Sequence, residues 1–240
     1  MIVLNGEFAR QAASRHDVSP GKDAGSSQLF RRLRKDILHC DLRPGARLLF
    51  RSLREDYGAG VSQLREALMR LASESLVVLE NNKGFRVAPV SPEELLDITT
   101  VRCELEAIAV RMAIEKGDLR WESNIVALHH ELTRVPLLSP DGTFSDEWNT
   151  ANEALHEALH SACGSPLLLG FCEVLSERYY RYRRLWARHS TGDRNTAREH
   201  ERIVNAVIAR DATTAISMLK AHLTATTRDL LANWSSLQVE

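Results

Sequence analysis

The chain has 240 residues, 44% hydrophobic and 26% charged, which gives length for two modest domains and the balance of a globular protein. It has no run of about 18 apolar residues, so no membrane-spanning helix is expected, and its N-terminus lacks the basic-then-apolar pattern of a secretory leader. Its four cysteines, Cys40, Cys103, Cys163 and Cys172, form no CxxC pair, which points to reduced thiols in a cytoplasm. The net charge of −1 hides an asymmetry: residues 24–90 carry net +5 and residues 91–240 net −6. A polyanion would therefore meet only the first part.

Residues 1–25 mix Ser, Gly, Asp, Arg and Gln without periodicity and read as a flexible tail, with Arg10 and Arg15 as its basic groups. Ser26 and Ser27 can cap a helix over about 28–40, with Leu29, Leu33, Ile37 and Leu38 on its buried stripe. A Pro44-Gly45 turn and a short strand at Arg47-Leu48-Leu49 follow.

Residues 53–76, LREDYGAGVSQLREALMRLASESL, read as two helices around a Gly58-Ala59-Gly60 break. In the second, Leu64, Ala67, Leu68 and Leu71 recur at helical spacing, while Gln63, Arg65 and Arg70 lie off that stripe. This is a helix-turn-helix pattern, whose second helix fits the DNA major groove; an ordinary helical hairpin is the alternative. Two β-rich runs, Val77–Glu80 and Phe85–Ala88, flank Asn81-Asn82-Lys83-Gly84 and predict a hairpin with Lys83 at its tip. Helix, strand, helix, helix, hairpin is the winged helix-turn-helix order, and it favours DNA binding.

From Ser91 the pattern changes. Ser91-Pro92-Glu93-Glu94 is a helix start with a capping box, and no convincing strand follows. Helices are predicted over 92–116, 121–134, 144–163, 166–190, 194–210 and 212–234, packed as a six-helix antiparallel bundle. The fold class is thus mainly α: a winged helix-turn-helix over 26–90 and an all-α domain over 91–240.

Three bundle helices each carry one histidine on the apolar stripe: His156, His200 and His222. Asn152 lies one turn before His156. A buried imidazole is costly unless hydrogen-bonded or ligated. Convergence of the three with Asn152 would make a divalent metal site suited to Zn, Ni or Mn. Three separately satisfied core histidines are the alternative. His156-Glu157-Ala158-Leu159-His160 also spells HExxH, the zinc-peptidase string. No strand pattern precedes it, so the peptidase is the less favoured alternative, and His160 is read as a neighbour of the site or a solvent-facing residue. The stretch from Ser176 to His189 is basic and aromatic; it reads as one long helix with Tyr and Trp lining the bundle or a dimer face, and Tyr179 or Arg181 within reach of a pocket.

ILHCDLRPGARL, LREDYGAGVSQLREALMRL and ESLVVLENNKGFRV together resemble the DNA-binding domain of the GntR family of bacterial transcription regulators. The resemblance implies operator contacts by Arg51, Ser62, Gln63 and Arg65, with Lys83 on the wing. Gly60-Val61 stands where many members have Ser-Arg, and Cys40 and Ser75 stand where glycines are common. Asn152-x-x-x-His156, then Glu199-His200, then His222-Leu223 resemble the FCD effector domain of FadR-type members. That resemblance implies a metal held by Asn152, His156, His200 and His222, completed by a small organic acid. Arg102 matches an arginine that faces the effector, where it would pair with a carboxylate; a surface ion pair with Glu106 at i+4 is its alternative. The chain is therefore expected to be a cytoplasmic, homodimeric, non-enzymatic DNA-binding regulator. Repression of a near-palindromic operator, relieved by an organic acid, is the commoner family mode.

Overall fold

The computed structural model describes residues 20–140, 145–186, 195–232 and 234. The chain forms two compact units, one of residues up to Ile37 with Ala46–Ala88, the other of Leu38–Gly45 with the chain from Pro89 onward.

The first unit is a small α/β fold. Helix α1 spans Pro20–Leu38, so it starts before the expected 28, and Ser26 is buried inside it rather than capping it. Arg10 and Arg15 of the expected tail lie outside the described residues. Strand β1 (Arg47–Leu48) leads into α2 (Phe50–Tyr57) and α3 (Val61–Ser73). Gly58, in the left-handed region at φ 64°, ends α2, and Gly60 begins α3. Leu64, Ala67, Leu68 and Leu71 of α3 are fully buried together with Leu33 and Ile37 of α1. Strands β2 (Val77–Glu80) and β3 (Gly84–Val87) form the hairpin, with Leu79 opposite Phe85 and Glu80 opposite Gly84. β3 also pairs antiparallel with β1, giving the order β1-β3-β2. This is the expected winged helix.

Ser75 explains its own departure from glycine. It sits just past α3 at φ 59°, with Leu76 N–H donating to Leu71 O and Ser75 N–H to Ala72 O. That is a Schellman helix end, whose left-handed residue is usually glycine. Cys40, at φ 62°, adopts the same region.

The second unit holds α4 (Pro92–Lys116), α5 (Leu119–Arg134), α6 (Asp146–His160), α7 (Pro166–Trp186), α8 (Thr196–Ile208) and α9 (Ala212–Ala232). A 3-10 turn over Ser161–Cys163 extends α6. The predicted end of α7 at 187–190 lies outside the described residues. Each helix starts at a side chain that accepts a backbone N–H three residues on: Ser91, Asp118, Ser145, Ser165, Asn195 and Asp211. These caps satisfy donors that a helix start leaves open and fix where each helix begins. Helix α4 is central and packs against α9, α7 and α6. Gly117, which ends α4, gives room to Trp121: a Cβ there would stand 2.1 Å from the indole ring. The indole N–H in turn donates to Ala158 O at 2.8 Å and ties α5 to α6.

Candidate functional site

Helical spacing puts Asn152 and His156 on one inward stripe of α6. His200 comes from the second turn of α8 and His222 from the middle of α9. All four are buried. The three imidazoles meet: ring centroids are 5.5 Å apart for His156–His200, 5.2 Å for His156–His222 and 4.6 Å for His200–His222. One ring nitrogen of each lies within 4.8 Å of the others. Separately satisfied core histidines would each have a hydrogen-bond partner. Here His156 Nδ1 and His200 Nε2 are buried with none. Burial first, and the neighbouring histidines second, push both imidazoles well below their ordinary pKa, which keeps each ring neutral with one nitrogen's lone pair available.

Two further contacts fit a ligand set. Asn152 Nδ2 donates to the Tyr180 hydroxyl at 3.4 Å, which leaves its Oδ1 buried and unpartnered. Glu199 Oε2 lies 2.8 Å from His222 Nδ1, which orients that ring. A carboxylate behind a histidine is the usual orienting contact at a metal site. The donor set that could hold a divalent ion is therefore three imidazole nitrogens and one amide oxygen.

Arg102 is also inside, 2% exposed, with Nε 2.5 Å from Oε1 of Glu106, itself 1% exposed. The i+4 pair exists, but it is buried, not the surface ion pair weighed above. Burial works against the charge of Arg102, but Glu106, Tyr180 and Tyr179 together outweigh it, so the guanidinium is held charged. Its Cζ lies 4.7 Å from the centre of the Tyr179 ring and 5.6 Å from that of Tyr180. His160 is buried near the Arg102–Glu106 pair and takes no part in the histidine cluster, so HExxH is not assembled around one centre. A cavity of about 430 Å³, lined by His129, Thr133, Trp148 and Asn195 among others, reaches His200 from outside.

In the first unit, Ser62 and Arg65 stand exposed on α3, Arg51 on α2 and Lys83 at the hairpin tip. The Arg65 guanidinium lies over the Phe50 ring at 5.5 Å, which restrains it without burying it. Arg51 is 91% exposed, with only a 3.4 Å contact to Glu55. Gln63 is half-buried, and its side chain accepts from Gly60 N–H at 3.1 Å, which makes it the cap of α3 in the free protein. Across the hairpin Arg86 is held by Glu80 at 3.0 Å, which leaves Lys83 as the cation at the tip.

Residues 26–87 match the family described as bacterial regulatory proteins, gntR family, and residues 97–225 match the FCD domain. The transcriptional repressor GlaR of Escherichia coli K12 is 36% identical over 81% of this chain and 90% of its own length. The chain belongs to the GntR family. The transcriptional regulator BphR of Paraburkholderia xenovorans is 35% identical over 81% of this GntR regulator and 80% of its own length. The solved structure of E. coli McbR/YncC shares the fold, with a TM-score of 0.73 at 22% identity, over 88% of this chain and 98% of that one. This GntR protein is thus a DNA-binding transcriptional regulator, and among its described residues no helix is long and apolar enough to cross a membrane.

Sequence reasoning missed Glu199 and Tyr180, and it weighed Glu106 only as the partner in an alternative surface pair, whereas the pair is buried. Glu199 had a visible signal, the carboxylate directly before His200. Tyr180 had none, because its partner Asn152 is 28 residues away on another helix.

Proposed function

We propose that this regulator is a cytoplasmic homodimeric repressor whose operator affinity is lowered by a small organic acid bound beside a divalent metal in the bundle. Residues 26–90 serve as the DNA-binding domain and 91–240 as the effector-binding and dimerisation domain. Arg65 and Ser62 on α3 read base edges; Arg51, Gln63 and Lys83 position the domain on phosphates or in the minor groove. Gln63 can do so only by releasing Gly60, which limits its share. Repression is the mode named for the relative GlaR.

Asn152, His156, His200 and His222 hold the metal, with Zn, Ni and Mn all suited to imidazole and amide oxygen. The ion supplies a fixed positive centre for an acid's carboxylate, and Arg102 supplies a second. The observation that carries this reading is the convergence of three buried imidazoles, with His156 Nδ1, His200 Nε2 and Asn152 Oδ1 buried without a hydrogen-bond partner. Buried polar atoms without partners are rare, and several at one place indicate a missing occupant.

Dimerisation has its own support. Leu167, Phe171 and Val174 on α7, at i, i+4 and i+7, are 72%, 53% and 46% exposed, an apolar stripe that a second copy would cover. Linkage then follows from connectivity. Arg102 lies on α4, which four residues separate from the end of the wing strand β3. A ligand that favours one packing of α4 biases the recognition helices by its differential affinity for the two states.

The metal half is tested by zinc stoichiometry after dialysis against a weak chelator. Wild type should retain about one ion per chain, whereas His200→Ala and His222→Ala should lose it while keeping their helical circular dichroism. Full occupancy in both variants would refute the site.

A further inference from the structure

Beside the histidine cluster lies a second group of buried polar atoms that a metal does not explain. Arg102 and Glu106 are bonded through one atom each, Nε to Oε1 at 2.5 Å. Among the described residues, the two terminal guanidinium nitrogens are left over. So is Glu106 Oε2, which is buried without a partner, and so is His160 Nδ1, on a residue 6% exposed. The aromatic rings of Tyr179 and Tyr180 flank the guanidinium, and Tyr180 carries the hydrogen bond from Asn152 that connects this group to the proposed ligand set.

A plain carboxylate answers only half of this arrangement. It can accept from the terminal nitrogens of Arg102, but it brings another acceptor against Glu106 Oε2, which stays unpaired and repels it. A hydroxyl next to the carboxylate resolves both: the carboxylate takes the guanidinium and the hydroxyl donates to Oε2. An ammonium would also donate, but it would face Arg102, the half-buried Arg183 (Cζ 5.5 Å from the Tyr180 ring) and the metal, all cationic. The chemistry therefore favours a neutral donor.

We propose that Glu106 is a specificity-determining residue that makes this site select hydroxycarboxylic acids over the same acids without the hydroxyl. The proposal rests on the reading that the bundle receives an organic acid. Glu106 acts by accepting a hydrogen bond from the ligand's hydroxyl, and its grip on Arg102 Nε turns the other edge of the guanidinium toward the carboxylate.

The test is calorimetric titration of the zinc-loaded full-length protein with matched pairs: lactate and propionate, malate and succinate, 2-hydroxyglutarate and glutarate, each hydroxy acid as separate enantiomers. In wild type, the hydroxy member of the best-binding pair should bind at least about 10-fold tighter, since a site built to hydrogen-bond a hydroxyl rejects the analogue lacking it. In Glu106→Gln, which keeps size but removes the repulsion and one acceptor, the ratio should fall to about 3-fold or less, with the deoxy acid gaining affinity. Glu106→Asp should keep the hydroxy acid preferred. Equal or tighter binding of the deoxy acids by wild type would overturn the proposal without any variant, as would an unchanged ratio in Glu106→Gln. Binding of neither member of any pair by the zinc-loaded protein is a separate outcome; it would overturn the organic-acid reading and this proposal with it.

Discussion

Asn152 shows how one contact sets the chemistry of a residue. Its amide nitrogen is taken up by Tyr180, so only its oxygen is available to an ion. An aspartate there would add a charge and bind a cation more tightly; on the proposed reading the asparagine would keep the set neutral and leave the ion's charge for the acid. Glu199 does the complementary work from outside, by holding His222 through Nδ1. Its removal should free that ring: Glu199→Ala should weaken zinc binding about 10- to 100-fold, measured by competition with a chromophoric chelator, with the fold unchanged. Zinc affinity equal to wild type would mean that His222 needs no orienting partner. At this scale the sequence was informative about residue type and poor about partners. Three stripe histidines and Asn152 could be read from spacing, because helical period fixes the face. Whether Arg102 and Glu106 were inside or outside could not, because i+4 spacing is the same on both faces of a helix.

Elements were more legible. The cap residues Ser91, Asp118, Asn195 and Asp211 sit at or beside the breaks read from the sequence, because capping depends on local chemistry. The wing was legible for the same reason, through Asn82 and Gly84, both at positive φ. The start of α1 was not: two serines at 26 and 27 look like a cap, yet Ser26 is buried and the helix extends back to Pro20. The left-handed helix end at Ser75 was visible only as a missing glycine. The α7 stripe was hidden because Leu167, Phe171 and Val174 look like core at helical spacing, and exposure is a property of the packed unit. Phe171→Glu places a charge in the middle of that stripe. It should shift the protein from dimer to monomer in sedimentation velocity and leave thermal unfolding of the chain within about 0.5 kcal/mol, as for most exposed substitutions. An intact dimer would move the interface elsewhere.

For the molecule as a whole, composition separates a basic N-terminal part from an acidic remainder, whereas the second compact unit holds Leu38–Gly45 as well as the chain from Pro89 onward. On the proposed reading, the basic part approaches the DNA polyanion while the acidic part would surround a metal of its own. One of the chain's three passages between the two units runs from β3 into α4, the helix that carries both Arg102 and Glu106. The ligand is legible only as a set of unsatisfied atoms, and no sequence motif encodes those, because they arise where four helices meet. The coupling itself is the central claim, and one titration addresses it most directly. Genomic DNA fragments selected by the zinc-loaded protein are labelled and titrated at two salt concentrations, with and without the tightest-binding acid, using Arg65→Ala as control. The account predicts binding at about 10 nM or tighter that weakens steeply with salt. Arg65→Ala should cost about 1–3 kcal/mol. The acid should weaken operator binding about 5- to 150-fold, the usual range for coupling between two sites. Operator binding that no acid changes, in a protein that demonstrably binds one, would contradict it.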